Sequence, residues 1–321
     1  MPRCGPPYLP FQWFRHTETI PLLSFPSHYP PSSRSSFINL CIAQNLSHPL
    51  GDHPQALDDA PATACSHLQA SEAVNTCIKS GMRVGLGTGS TASFAVERLA
   101  ERIRQGELTD ISCASTSEAT RKLAESLGIN VLSLDEISLP LDVTIDGADE
   151  VLKNGSQMVL IKGRGGALLR EKIVEVNSKA FICVADEGKV VQPDSFGTTG
   201  AVALEVVQFG AQATRQAVLS AVVSTLGGEV LEAEEETPEE AAERLGVSAV
   251  FRHRENRKEL FVSDNGNLCL DLFFKRPIPD PQKMHDRLIN VVGVVETGIF
   301  IGISKLCIIG HSSGTTTRLA V

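Results

Sequence analysis

No apolar run in this 321-residue chain approaches the roughly 18 residues needed to cross a bilayer, so no membrane partner is expected. Positive charge is in deficit: 29 Lys and Arg against 38 Asp and Glu leave a net charge of −9. A phosphate backbone demands a basic face, which excludes nucleic acid as a partner. A small anionic substrate stays compatible if a local positive pocket forms within the acidic protein. Eight cysteines are present, yet no two stand as Cys-x-x-Cys, and neither a zinc nor a dithiol redox site is indicated. Cys183 and Cys307 lie in apolar runs, where cysteine acts as a small hydrophobe; such usage fits a reducing compartment. The eight histidines are scattered, with no metal-ligand spacing and no Ser–His–Asp set. What remains is ordinary: 42% hydrophobic, 21% charged, and long enough for one large or two modest domains.

Residues 1–65 have a texture of their own. They hold no lysine, and Glu18 is the only acid among the first fifty positions. Arg3, Arg15 and Arg34, with serines at 32, 33, 35 and 36, give the composition of an organelle transit peptide. A disordered extension would look the same. Plastid targeting follows from the first reading and a cytoplasmic protein from the second. Either way the leader stands outside the fold.

From residue 66 strand-like and helix-like segments alternate. Val84–Leu86, 111–114, 129–132, 141–145 and 180–185 are apolar strand candidates, separated by amphipathic runs over 90–104, 118–127 and 166–176. Ser117 precedes the second run as an N-cap and Gly128 closes it. Alternation of this kind predicts an α/β fold with a Rossmann-like parallel sheet, built from 66–196 plus 305–321. After residue 197 the order becomes β–α–β–β–α–β, with a hairpin of 260–263 and 268–274 around Asp264-Asn-Gly-Asn267. That predicts a smaller inserted α+β, ferredoxin-like domain over 197–304. The acidic run 232–243 reads as a solvated helix or loop.

Three stretches carry chemistry. Gly85-Leu-Gly87-Thr88-Gly89-Ser90-Thr91 follows a strand and opens a helix, so its N–H groups and hydroxyls suit a phosphate. It has neither the Gly-x-Gly-x-x-Gly spacing nor a lysine after the last glycine, and Ala114-Ser115 stands where a dinucleotide fold places an acid. Both observations oppose a nicotinamide dehydrogenase. Asp146, Gly147, Ala148 and Asp149 follow the third strand, at the carboxyl end where open α/β sheets hold ligands. Lys162, Gly163, Arg164 and Gly165 lead into a helix that carries Glu171. A lysine there can neutralise an oxyanion, and a partly buried glutamate can act as general base. Glu171 is placed about a turn and a half into its helix, with Arg170 and Lys172 on other faces as surface salt-bridge candidates. Lys189 is a further cation near a strand end.

These motifs, with Ser263-Asp-Asn-Gly-Asn267 and Gly293-Val-Val-Glu-Thr-Gly-Ile-Phe300, occur in the order of a known family. Over about 66–310 the chain resembles ribose-5-phosphate isomerases of the A type. The resemblance implies interconversion of D-ribose 5-phosphate and D-ribulose 5-phosphate through an enediolate, with no metal and no cofactor. It implies a place in the pentose phosphate pathway and, for a plastid protein, the Calvin cycle. Glu171 would move the proton between C2 and C1. Thr88, Gly89, Ser90 and Thr91 would line the substrate and phosphate site, with Lys189 also at the substrate. Asp146 to Asp149 would contact the sugar and help open its ring, and Lys162 with the backbone of Gly163 to Gly165 would stabilise the enediolate oxygen. A homodimer or homotetramer is the family's habit. Departures are Arg164 in place of a frequent glycine, Ile299 in place of leucine, and His67-Leu-Gln69 where a lysine is usual. The segment 232–258 is also longer and more acidic than in most members.

Overall fold

The computed structural model describes residues 60–227, 236–254 and 258–321. The first helix, α1 (Ala60–Cys77), begins inside the stretch read as leader; the rest of that stretch lies outside the described residues. β1 (Arg83–Leu86), the glycine loop and α2 (Ser90–Arg104) follow, then β2 (Ser112–Ser115) and α3 (Glu118–Ser126). Ser117 caps α3 as its position foretells, accepting a hydrogen bond from the Thr120 N–H, one of the first-turn donors that the helix itself leaves free. β3 (Val143–Gly147), β4 (Glu150–Asn154), β5 (Gln157–Ile161), α4 (Leu168–Val176) and β6 (Phe181–Asp186) complete the first half.

In the second half come β7 (Ala201–Val206), α5 (Ala211–Thr225), α6 (Pro238–Arg244), β8 (Val247–Phe251) and β9 (Leu268–Phe274). They are followed by α7 (Pro281–Ile289), β10 (Val294–Thr297), β11 (Ile299–Ile301), β12 (Leu306–Gly310) and β13 (Thr316–Ala320).

β2, β1, β3, β6 and β12 pair in parallel in that order, and β13 adds an antiparallel edge. Central strands buried on both faces must be apolar throughout, which is why Phe181–Ala185 reads as one unbroken run. The chain steps from β1 outward to β2 and then returns to the other side of β1 as β3. That reversal opens a crevice between the carboxyl ends of β1 and β3, the usual seat of ligands in open α/β sheets. The glycine loop and Asp146 stand at those two ends.

A second, antiparallel sheet has the order β10-β7-β9-β8. Along the path β7-α5-β8-β9-α7-β10 this is the 4-1-3-2 arrangement of a ferredoxin-like unit. Its core joins Leu204, Leu270 and Leu272 of the sheet to Val218, Leu219 and Val222 of α5. β11 then pairs with β5, Phe300 opposite Leu160, in a three-stranded sheet with β4. The Lys162 N–H donates to Gly298 O at 2.9 Å, so the end of the ferredoxin-like sheet is tied directly to the lysine loop.

Several expected elements differ. Residues 129–132 form only a bridge, Cys113 to Val131, because pairing with β2 stops after two hydrogen bonds around Asn130 and Leu132. Residues 260–263 likewise make single bridges at Leu260 and Val262 instead of a strand. The Phe261 N–H donates to Arg252 O at 2.8 Å, and the Phe261 ring lies 5.8 Å from the Arg252 guanidinium. The turn itself forms, with Ser263 N–H donating to Asn267 O at 2.8 Å. The β4–β5 hairpin was not anticipated; its two-residue loop is Gly155-Ser156, with Gly155 at a φ of 60°, the glycine-first signal of such turns. Within the acidic run, α6 is a helix with a capping box between Thr237 and Glu240, while 228–235 lie outside the described residues.

Candidate active site

The glycine loop is shaped by close approach. A Cβ on Gly87 would fall onto the carboxyl of Asp146, and Gly89, the N-cap of α2, has a φ of 109° that side chains disfavour. Behind the loop, Thr88 Oγ1 donates to Ser117 Oγ at 2.8 Å, and Thr120 Oγ1 donates to Gly87 O at 2.9 Å. Thr116 joins the same network, 2.7 Å from Thr88 Oγ1. The Thr88 hydroxyl is therefore engaged by the protein. Ser90 is exposed at the start of α2, next to the N–H groups of its first turn.

Asp146, at the end of β3, is fully buried. Its Oδ1 accepts from the N–H groups of Gly147 at 2.6 Å and Thr88 at 3.1 Å. Lys162 follows the last residue of β5 and is 2% exposed. Its Nζ donates to Gly147 O at 2.5 Å. It also lies 3.1 Å from Asp146 Oδ2, 3.4 Å from Glu175 Oε1 and 3.7 Å from Glu171 Oε2. The rings of Phe181 and Phe300 stand 5.8 and 5.7 Å from the ammonium. Apolar walls of this kind keep water from screening the charges.

One ammonium cannot balance three buried carboxylates. Burial pushes the Glu171 carboxyl up to about 8, with Lys162 opposing the rise and the charges of Asp146 and Asp149 adding to it. Burial also raises Asp146, against the pull of Lys162 and its two N–H donors. Lys162 is held charged: the three carboxylates outweigh the burial that would discharge it.

Glu171 is the fourth residue of α4 and so sits in its first turn, closer to the helix start than expected. Of its neighbours, Arg170 makes the surface ion pair expected, with Glu118, whereas Lys172 is largely buried. Arg170 donates to Asn265 Oδ1 at 2.8 Å, Asp264 O at 3.0 Å and Glu118 Oε1 at 3.2 Å. Lys172 donates to Glu296 Oε1 at 2.7 Å and to the carbonyls of Thr297 and Ile299. Arg170 is thus anchored to the turn before β9 and to α3, and Lys172 to β10 and β11. The lysine loop is held in the same way: Arg252 Nη1 donates to Gly163 O at 2.9 Å and Arg164 O at 2.8 Å, while Asp271 holds the guanidinium.

These elements enclose a cleft of about 270 Å³. Every residue given a role at the substrate in the sequence lines it except Asp146, which is buried 3.1 Å from Lys162. Glu171 meets the cleft from below, and Lys189, 3.8 Å from Asp186, closes another side. The Arg164 side chain is largely exposed, with its N–H donating to Asp149 Oδ2 at 3.0 Å. His67 to Gln69 contribute nothing to the lining. Sequence reading missed Glu175 and Arg252. The first was visible as an acid four residues after Glu171, on the same helix face; Arg252 carried no local signal. Among the described residues no group of three or more His, Cys, Asp or Glu is arranged to hold a metal ion.

What such a site can do is move a proton on a small phosphorylated molecule while an ammonium meets the oxygen that gains charge. Comparison with known proteins narrows the class. The family model for ribose 5-phosphate isomerase A (phosphoriboisomerase A) matches residues 112–314. Ribose-5-phosphate isomerase A of Rhizobium meliloti (strain 1021) is 41% identical over 253 residues, 79% of this chain and 96% of that protein. The solved structure of ribose 5-phosphate isomerase from Plasmodium falciparum superposes with a TM-score of 0.68 at 34% identity, covering 81% of this chain and 99% of that one. A D-ribose-5-phosphate isomerase in complex with phospho-erythronic acid gives 0.66 at 32% identity, covering 80% and 98%. The chain belongs to the ribose 5-phosphate isomerase A family.

Proposed function

We propose that the cleft described above is where this isomerase interconverts D-ribose 5-phosphate and D-ribulose 5-phosphate, with Glu171 carrying the proton between C2 and C1. The observation that supports it best is one buried carboxyl that faces the cleft 3.7 Å from a buried ammonium, its proton affinity raised to about 8. A base tuned near working pH both takes and returns a proton efficiently. The substrate phosphate is placed at Gly89, Ser90 and Thr91, where free N–H groups and the positive end of α2 favour an anion, with Lys189 alongside. Asp149 accepts from the sugar hydroxyls and assists ring opening. As Glu171 removes the C2 proton, charge moves onto the carbonyl oxygen, which Lys162 and the N–H groups of Gly163 and Gly165 receive. Return of the proton to C1, with transfer of the O2 hydroxyl proton to O1, completes the isomerisation without net change in charge. The relative solved with phospho-erythronic acid supports a phosphorylated sugar-like occupant.

The same reading takes the protein to a plastid, on the composition of residues 1–65, and so to the Calvin cycle besides the pentose phosphate pathway. It also makes the protein a homodimer or homotetramer; Phe209 and Val292, 95% and 93% exposed, are apolar residues that an interface between copies would cover.

The test compares the parent with Glu171→Gln for ribulose 5-phosphate formation. The amide keeps the shape and cannot take a proton, so kcat falls at least ~100-fold with little change in KM. Equal turnover in both proteins would remove Glu171 from the role of base.

A further inference from the structure

The reading above leaves one buried group without a task. Glu175 lies one turn beyond Glu171 on α4, is 1% exposed, and does not line the cleft. Neither of its carboxyl oxygens has a hydrogen-bond partner among the described residues, although Oε1 stands 3.4 Å from Lys162 Nζ. A carboxylate in that position would be a second buried negative charge drawing on a single ammonium. Asp146 already meets that ammonium at 3.1 Å, with two N–H donors to stabilise its own charge. An ionised Glu175 would therefore be uncompensated, which a sealed site does not sustain. It would also turn the field of Lys162 away from the cleft.

We propose that Glu175 is a positioning residue for the isomerisation: an uncharged carboxyl that seats the Lys162 ammonium from the sealed side and leaves its charge to the oxyanion on the cleft side. The groups that face Glu175 are Lys162, Asp146, Glu171 and the Cys183 thiol, with Lys172 three residues earlier on the same helix. Burial pushes its carboxyl well above the usual range; Lys162 opposes this, and the charges of Asp146 and Glu171 add to it. The arrangement divides the labour of two glutamates four residues apart. Glu171 reaches the cleft and exchanges protons, while Glu175 is shut away and keeps its own. This inference rests on the roles given to Glu171 and Lys162 above.

The experiment uses the full chain with Glu175→Gln, Glu175→Leu and, alongside, Glu171→Gln. Each is assayed for kcat and KM with D-ribose 5-phosphate from about pH 6 to about pH 9, and its thermal unfolding is recorded. Glu175→Leu, which removes the acceptor beside Nζ, lowers kcat at least ~10-fold with KM within ~3-fold of the parent. Glu175→Gln, uncharged and still an acceptor, restores kcat to within ~3-fold and leaves the acid limb of the pH profile in place. An acid limb displaced to lower pH in Glu175→Gln would reveal a lost negative charge and overturn the proposal, as would full activity in Glu175→Leu. If Glu175→Leu does not fold, the acid limb of Glu175→Gln decides alone. Activity retained in Glu171→Gln would instead fail the underlying assignment of the base, whatever the variants at 175 do.

Discussion

Replacing Lys162 by methionine keeps the length of the side chain and deletes the only cation among the described residues within ion-pair distance of Asp146, Glu171 and Glu175. In the parent this ammonium balances one carboxylate, which by its two N–H donors is Asp146. In Lys162→Met no partner remains, and the folded state stabilises itself by holding a proton on Asp146. The unfolded chain releases that proton near the ordinary aspartate pKa of about 3.9. The folded variant therefore binds one proton more than its unfolded form at every pH above that value. Stability then falls by about 1.4 kcal/mol for each pH unit, in excess of any slope of the parent. From about pH 5 to about pH 8 the penalty of the substitution grows by about 4 kcal/mol, a large share of the roughly 5–15 kcal/mol that holds a domain folded. Denaturant unfolding of parent and variant at three pH values across that range measures the difference directly. A penalty that is the same at all three would refute the reasoning, because it would mean that Lys162 balances no buried carboxylate.

Two further outcomes follow from the same geometry. Since burial raises Glu171 to about 8 and only the carboxylate accepts a proton, kcat/KM for D-ribose 5-phosphate rises with pH and levels off above that value; an acid limb near 4.5 would show that burial does not govern the base. Gly87→Ala places a methyl group on the Asp146 carboxyl and displaces the glycine loop, so kcat/KM falls on the order of 100-fold while the fold persists. Unchanged kinetics would mean that the close packing of loop and carboxylate is dispensable.

The parallel sheet was legible because its strands are short, unbroken and apolar, and because glycine loops separate them from amphipathic helices. Ser117 and the turn at Asp264–Asn267 were legible for a local reason, since caps and tight turns depend on neighbours in sequence. The strand assigned to 129–132 failed because apolar composition does not reveal whether a partner edge is free; only Cys113 and Val131 meet. The cleft residues were found because most sit where a strand or glycine loop ends, and Glu171 in the first turn of the helix that such a loop opens. What could not be seen was burial. The sequence around Arg170, Glu171 and Lys172 reads as an exposed ion-pair helix; that holds for Arg170 and Glu118, whereas packing against β10 and β11 buries Lys172. Glu175 and Arg252 were missed for the same reason: each acts on a residue distant in the chain or hidden from the surface.

The flanking cations of Glu171 carry a consequence for the order in which the enzyme becomes competent. Arg170 grips residues 264 and 265, and Lys172 grips 296, 297 and 299. The base is thus fixed by chain that is made roughly a hundred residues after it. Closing such long loops is slow compared with forming α4 itself. A nascent or partly unfolded chain holding only β1, β2, β3 and β6 of the sheet would present Glu171 without its anchors, and its chemistry would be silent. Turnover therefore reports completed folding of the far half, so that proteolysis or heat acting there first would extinguish activity before the catalytic sheet melts.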